Sequence, residues 1–281
     1  MYPIQRTTAL VRQLLSVCTT GTVHSVYRKT INLSIGGPLV SLQASNSPLS
    51  PISLITTLSE LEMSELMVSA GQPISLAKDS IHLPAMEFCL TSAKIVETKL
   101  MPVPAYDTLI AQVRFIIEHS AKSGFRNILF PSEKSAQLGE QLVLNAARQH
   151  MELCSAEVSL SHYTMGAQQL SSIIGLGIGL TPSGDDFLCG VLAGLLLRNA
   201  TDHPFSTELR QQIRQKLSDT NDISRAFLQC ALQGQFSEAV CSLGRNLNPD
   251  QLSAAFSAIG HSSGMDTLCG VLYALTLPLP A

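Results

Sequence analysis

The 281-residue chain is 45% apolar and only 14% charged, so it is no disordered polypeptide, and it is long enough for two modest domains or one large one, each with a proper core. Soluble domains usually carry about 25% charged residues, so this low share points to a surface partly covered by other protein. Eighteen Lys and Arg against 21 Asp and Glu leave a net charge of −3, with no basic surplus for nucleic acid.

The N-terminal stretch Met1 to Thr20 has Arg12 inside its apolar part and no cleavage-site pattern, so it does not read as a signal peptide. Thr22 to Lys29 is strand-like. Ile31 to Ile35 and Leu39 to Gln43 flank Gly36-Gly37-Pro38, a hairpin signal. A Ser/Pro-rich loop follows over Ala44 to Pro51. Ser53 to Leu58, Glu65 to Val68, Ile74 to Leu76 and Ser80 to Leu83 are further short strand candidates. Short strands with frequent turns predict a small barrel or sandwich.

Pro102 and Pro104 mark a boundary near residue 100, beyond which the apolar period becomes helical. Tyr106 to Ser123 places Leu109, Ile110, Val113, Ile116 and Ile117 on one face, with Gly124 as its expected C-cap. Ser132 is expected to cap a helix running through Leu138, Leu142 and Ala146. Further helices fit Glu208 to Leu217, Ser224 to Leu232 with Gly234 after it, and Gln251 to Ile259. The fold class is therefore α+β: a mainly β domain over 1–100 and a mainly α domain over 101–281.

Seven cysteines stand without zinc spacing and read as small buried hydrophobes of a reducing compartment. The longest apolar run, Phe187 to Leu197, is too short for a bilayer. Together these predict a cytoplasmic protein with no membrane partner.

The most informative segment is Gly175-Leu-Gly177-Ile-Gly179-Leu-Thr181-Pro-Ser183-Gly184-Asp185-Asp186. Eighty residues on comes Gly260-His261-Ser262-Ser263-Gly264-Met265-Asp266. Ser183 to Leu192 (SGDDFLCGVL) matches Ser263 to Leu272 (SGMDTLCGVL) at eight of ten positions. The chain thus uses one device twice: a Gly/Ser/Thr loop, an acid in the first turn, and an apolar helix. Such a device suits an anion, because free N–H groups and the positive end of the helix dipole face outward there. Two loops facing one another would hold both ends of a small polar substrate. On this reading Gly177, Gly179, Thr181, Ser183, Gly184, Asp185, His261, Ser262, Ser263 and Gly264 contact it. Arg28 adds a cation. Asp186 and Asp266, the matched acids, orient donors, accept a proton or hold a divalent cation. The plainer reading makes Ser183 and Ser263 N-caps and Gly190-x-x-x-Gly194 a close helix contact; Cys189 and Cys269 are then packing residues. The loop has neither the Lys of a phosphate-binding P-loop nor the G-x-G-x-x-G of a dinucleotide fold.

GLGIGLTPSGDDFLCG with GHSSGMDTLCG resembles the AllH-like subunit family of oxamate carbamoyltransferase, and Val26 to Leu33 and Ser224 to Phe236 share in the resemblance. The family more often has Pro at Ile178 and Ala at Met265. The resemblance implies one subunit of a multi-protein transferase that converts oxamate and carbamoyl phosphate to oxalurate and phosphate in purine-derived ureide (allantoin) catabolism. It also implies an FdrA-like subunit and a second carbamoyltransferase subunit as partners, a functional link to a carbamate kinase, and no certain cofactor. The alternatives are a non-catalytic scaffold subunit and a small-anion binding protein.

Overall fold

Nine strands build the first third of the chain: β1 (Tyr2–Thr8), β2 (Thr20–Tyr27), β3 (Thr30–Ile35), β4 (Leu39–Gln43), β5 (Ser53–Thr56), β6 (Pro73–Ala77), β7 (Ser80–Leu83), β8 (Met86–Cys89) and β9 (Lys94–Val96). The structure is a computed structural model that describes residues 1–104, 106–131, 138–245 and 248–280, and it divides into two units, Met1–Thr98 and Lys99–Ala281.

In the first unit the strands run in the order β5-β4-β3-β2-β6-β7-β8-β1, and β1 also pairs with β5, which closes an eight-stranded barrel. β1 is the keystone. Its Ile4, Arg6 and Thr7 face Thr56, Ile55 and Leu54 of β5, its first residues pair in parallel with β8, and its last with β9. Closure leaves few free edges. The interior is filled by Ile4, Val23, Ile31, Leu33, Ile35, Leu42, Leu54, Ile81 and Phe88. A helix, α1 (Ala9–Val17), capped by the Thr8 side chain, adds Val11 and Leu15 to that core. The hairpin expected around Gly36-Gly37-Pro38 joins β3 to β4, with Ser34 opposite Leu39.

Glu65 to Val68 is not a strand. The preceding Ser59 and Glu62 form a reciprocal capping box that nucleates α2 (Glu60–Ser64), and the chain turns from there toward β6. Arg28 sits in this unit, 77% exposed, with its Nε 3.0 Å from Glu60.

The second unit is helical: α3 (Tyr106–His119), α4 (Arg126–Leu129), α5 (Leu138–Ser159), α6 (Tyr163–Ser171), α7 (Ser183–Leu197), α8 (Pro204–Gln215), α9 (Asp222–Leu232), α10 (Glu238–Ser242), α11 (Pro249–Ser257) and α12 (Ser263–Thr276). The expected cap Ser132 lies outside the described residues. α3 stops at His119, so Gly124 is not its C-cap. α7 and α12, apolar on nearly every side, form the centre of the core, as helices without a polar face must. Among the described residues no helix is long and apolar enough to cross a membrane.

Candidate functional site

The two copies of the repeated sequence are α7 and α12, and they lie in direct contact. Gly190 abuts Thr267 and Gly270, Gly194 abuts Val271 and Ala274, and Gly270 abuts Phe187 and Val191. Contacts that advance together along both helices make the pair parallel. They are also reciprocal: the approach of Gly190 to the Thr267 carbonyl is repeated, 80 residues along, by that of Gly270 to the Phe187 carbonyl. A local two-fold relation therefore follows from the repeat, and both helix N-termini end at one place. Their positive dipole ends add there, and carboxylates are the natural complement.

Neither serine caps its helix. Pro182 and Ser262 occupy the N-cap positions without side-chain cap bonds, and Ser183 and Ser263 are the first helical residues. Their hydroxyls cross over instead. Ser263 and Thr181 hold their hydroxyls against Asp186, whereas Ser183 and Ser262 hold theirs against Asp266. Thr181 Oγ1 and Ser263 Oγ are 2.9 Å apart, which links the two loops directly. Each acid is thus served by the serine of the opposite repeat. A double-mutant cycle should show this. Ser183→Ala is expected to lose most of its effect on activity in an Asp266→Asn background and to keep it in Asp186→Asn; equal coupling to both acids would contradict the crossing.

Asp266 is fully buried, and its Oδ1 accepts the Phe125 backbone N–H at 2.7 Å. Burial pushes its carboxyl up to about 6, opposed by that N–H, the serine hydroxyls and the charge of nearby His261. Asp186 is raised well above the usual carboxylate range, first by burial and then by the charge of Asp266. Each acid keeps one buried oxygen, Oδ2, without a partner among the described residues.

Asp185 points elsewhere. It is buried, and its oxygens accept the Gly175 N–H at 2.8 Å and the Thr220 hydroxyl at 2.5 Å, which braces the glycine loop against the segment before α9. Burial raises its carboxyl. The loop so held runs Leu176 to Pro182. The backbone N–H groups of Gly177, Ile178, Gly179, Leu180 and Thr181 find no acceptor among the described residues. Gly177 has φ +134, and a Cβ there would lie 2.6 Å from the Ser183 nitrogen, so only glycine leaves this row of donors open. Gly184 is buried at the start of α7, as is Gly264 at the start of α12, and His261 is exposed. The structure therefore brings Gly177, Gly179, Thr181, Ser183, Asp186, His261, Ser262, Ser263 and Asp266 to one end of the helix pair.

Three contributors had no reading as site residues. Phe125 acts through a backbone N–H, which no residue type advertises. Gly124, at φ +90, leaves the space that Asp266 Oδ1 occupies. Lys122 donates from Nζ to the Ser257 and Gly260 carbonyls and so fixes the second loop. Beneath them Phe125, Phe187 and Tyr273 pack as tilted rings, each pair at 53° with centroids 5.4 and 5.5 Å apart. The Cys189 and Cys269 thiols are pushed far up by burial and stay protonated, which suits packing. Among the described residues no group of three or more His, Cys, Asp or Glu gathers to hold a metal.

Residues 173–275 match the family model described as oxamate carbamoyltransferase subunit AllH, and residues 4–95 match the AllH family N-terminal domain. The first span contains both glycine loops, α7 and all but the last residue of α12. No solved structure matches the chain.

Proposed function

Because the chain belongs to the AllH family of oxamate carbamoyltransferase subunits, we propose that its paired helix N-termini form the seat for the small anions of carbamoyl transfer. The reaction is carbamoyl phosphate plus oxamate giving oxalurate plus phosphate, in cytoplasmic ureide nitrogen catabolism, with a carbamate kinase using the carbamoyl phosphate formed in reverse. An FdrA-like subunit and a second carbamoyltransferase subunit complete the enzyme.

The observation that carries this reading is the open row of N–H donors from Gly177 to Thr181, set at the shared positive end of α7 and α12. Fixed donors of this kind hold a phosphate or carboxylate and stabilise an oxyanion as it develops, without reorganising. The loop tip also favours assembly: Ile178 is 84% and Leu180 51% exposed, a pair of apolar side chains suited to cover by a partner subunit.

Inorganic phosphate and carbamoyl phosphate are each expected to raise the melting temperature of the full chain by several degrees at saturating concentration, corresponding to about 2–3 kcal/mol at a hundred-fold excess over Kd. Gly177→Ala should abolish the shift, and it should also lower the unliganded melting temperature, because its Cβ meets the Ser183 nitrogen at a left-handed φ; the readout is therefore the ligand-induced shift of each protein against its own unliganded value. A shift that survives Gly177→Ala would place the anion elsewhere. If anions shift neither the chain nor the assembled complex, the scaffold reading takes over.

A further inference from the structure

We propose that Asp186 and Asp266 hold one proton between them and that the hydroxyls of Thr181 and Ser263 carry it to and from a ligand in the glycine loop. This assignment rests on reading that loop as the transfer site. Its ground is the pair of Oδ2 atoms, both buried and both without a partner among the described residues. Two carboxylates close enough to repel each other, each with one oxygen shut off from water, are neutralised most simply by a single proton.

The surroundings assign the proton. Asp266 has a backbone N–H from Phe125 as well as the Ser183 and Ser262 hydroxyls, with His261 nearby, and is the ionised member. Asp186 has hydroxyls only, with Asp266 and Asp185 as negative neighbours, and is the acid. The remaining ionisable groups leave this unchanged. Cys189 and Cys269 stay protonated, Arg126 of α4 bears on Cys269 and spends its Nε and Nη2 on the Ile117 and Glu118 carbonyls, and Lys122 spends Nζ on two carbonyls. Thr181 and Ser263 are half-buried and in mutual contact, so they connect Asp186 to the loop.

Carbamoyl transfer uses such a store without changing its content. The acceptor's amide nitrogen bonds to the carbamoyl carbon, and the carbon–oxygen bond to phosphate breaks. The proton lost by that nitrogen enters the pair at Asp266 by way of the Ser183 and Ser262 hydroxyls that face it, and the proton already on Asp186 leaves through Ser263 and Thr181 to the departing phosphate. One proton is present before and after.

The first test is thermal and urea unfolding of the full chain from pH 5.5 to 8, wild type against Asp186→Asn. A proton held only by the folded state makes the wild-type folding constant fall by up to about tenfold more per pH unit than that of the variant. Parallel pH curves overturn the shared proton. If Asp186→Asn does not fold, infrared at pH 7 still decides: a protonated-carboxyl band of the wild type that persists in Asp185→Asn supports the proposal, and its absence from the wild type or loss in Asp185→Asn overturns it. The second test is kcat against pH for the assembled transferase. Thr181→Val should lower kcat at least tenfold and shift the profile, with KM for carbamoyl phosphate changed less; an unchanged profile overturns the relay. A wild-type complex that transfers no carbamoyl group overturns the transfer-site reading and the relay with it, whereas the unfolding difference, if present, still upholds the shared proton.

Discussion

Gly190→Ala and Gly270→Ala are each expected to destabilise the chain by about 3 kcal/mol or more in urea unfolding, an unusually large effect for one methyl group. In an isolated helix the same change would stabilise by about 1 kcal/mol, because alanine loses less backbone entropy than glycine. Here the sign reverses. A Cβ on Gly190 collides with the Thr267 carbonyl, and one on Gly270 with the Phe187 carbonyl. Both obstacles are helix backbone and cannot rotate away, so the helices must part along their length. Parting them strips contacts from Phe187, Val191, Leu268 and Val271, all fully buried. Gly139→Ala, at the start of α5 with no described residue within 4 Å of the new methyl, is the control and should be neutral or stabilising by a few tenths of a kcal/mol. If Gly190→Ala behaves like Gly139→Ala, the close parallel packing is wrong.

Asp186→Asn and Asp266→Asn are expected to leave the transferase complex assembled on size-exclusion chromatography while lowering kcat about a hundred-fold or more, the usual yield of positioned acid–base groups. Asparagine preserves shape and can still accept the Phe125 N–H, so the loss reports charge and proton rather than packing. The same pair predicts how stability depends on pH. A carboxyl raised in the folded state contributes stability that is complete below its unfolded value near 4 and is lost as pH rises through its folded value. For Asp266 that window runs from about 4 to about 6; Asp186 is raised as well, so its contribution is likewise lost as pH rises above the unfolded value near 4. Wild-type chain should therefore lose stability over this interval by more than either variant does. Full activity in both variants would reduce the acids to helix-end complements and the chain to a scaffold.

Much of this molecule is legible in its residues, because the controlling physics is local. Alternation over the first hundred residues sets strands, Gly36-Gly37-Pro38 sets the hairpin, and the 80-residue echo of SGDDFLCGVL marks two equivalent helices whose N-termini carry acids. Where local reading failed, a competing local signal or a distant contact was responsible. The Ser59–Glu62 capping box set α2 just before the strand-like Glu65 to Val68, which then turns, and β1 and β8 exist as strands because a barrel must close, with β9 pairing beside β1, which no window of ten residues encodes. The sequence by itself determined the two-part α+β organisation, the glycine loops and the identity of the acidic pair. Only the tertiary structure decided that the two helices run parallel, that Ser183 serves Asp266 while Ser263 serves Asp186, that Asp185 is a brace, and that the Phe125 backbone completes the site. The reason is that such pairings depend on which backbones approach one another. That approach is set by the absence of a side chain at Gly190 and Gly270, read jointly across 80 residues rather than at either position alone.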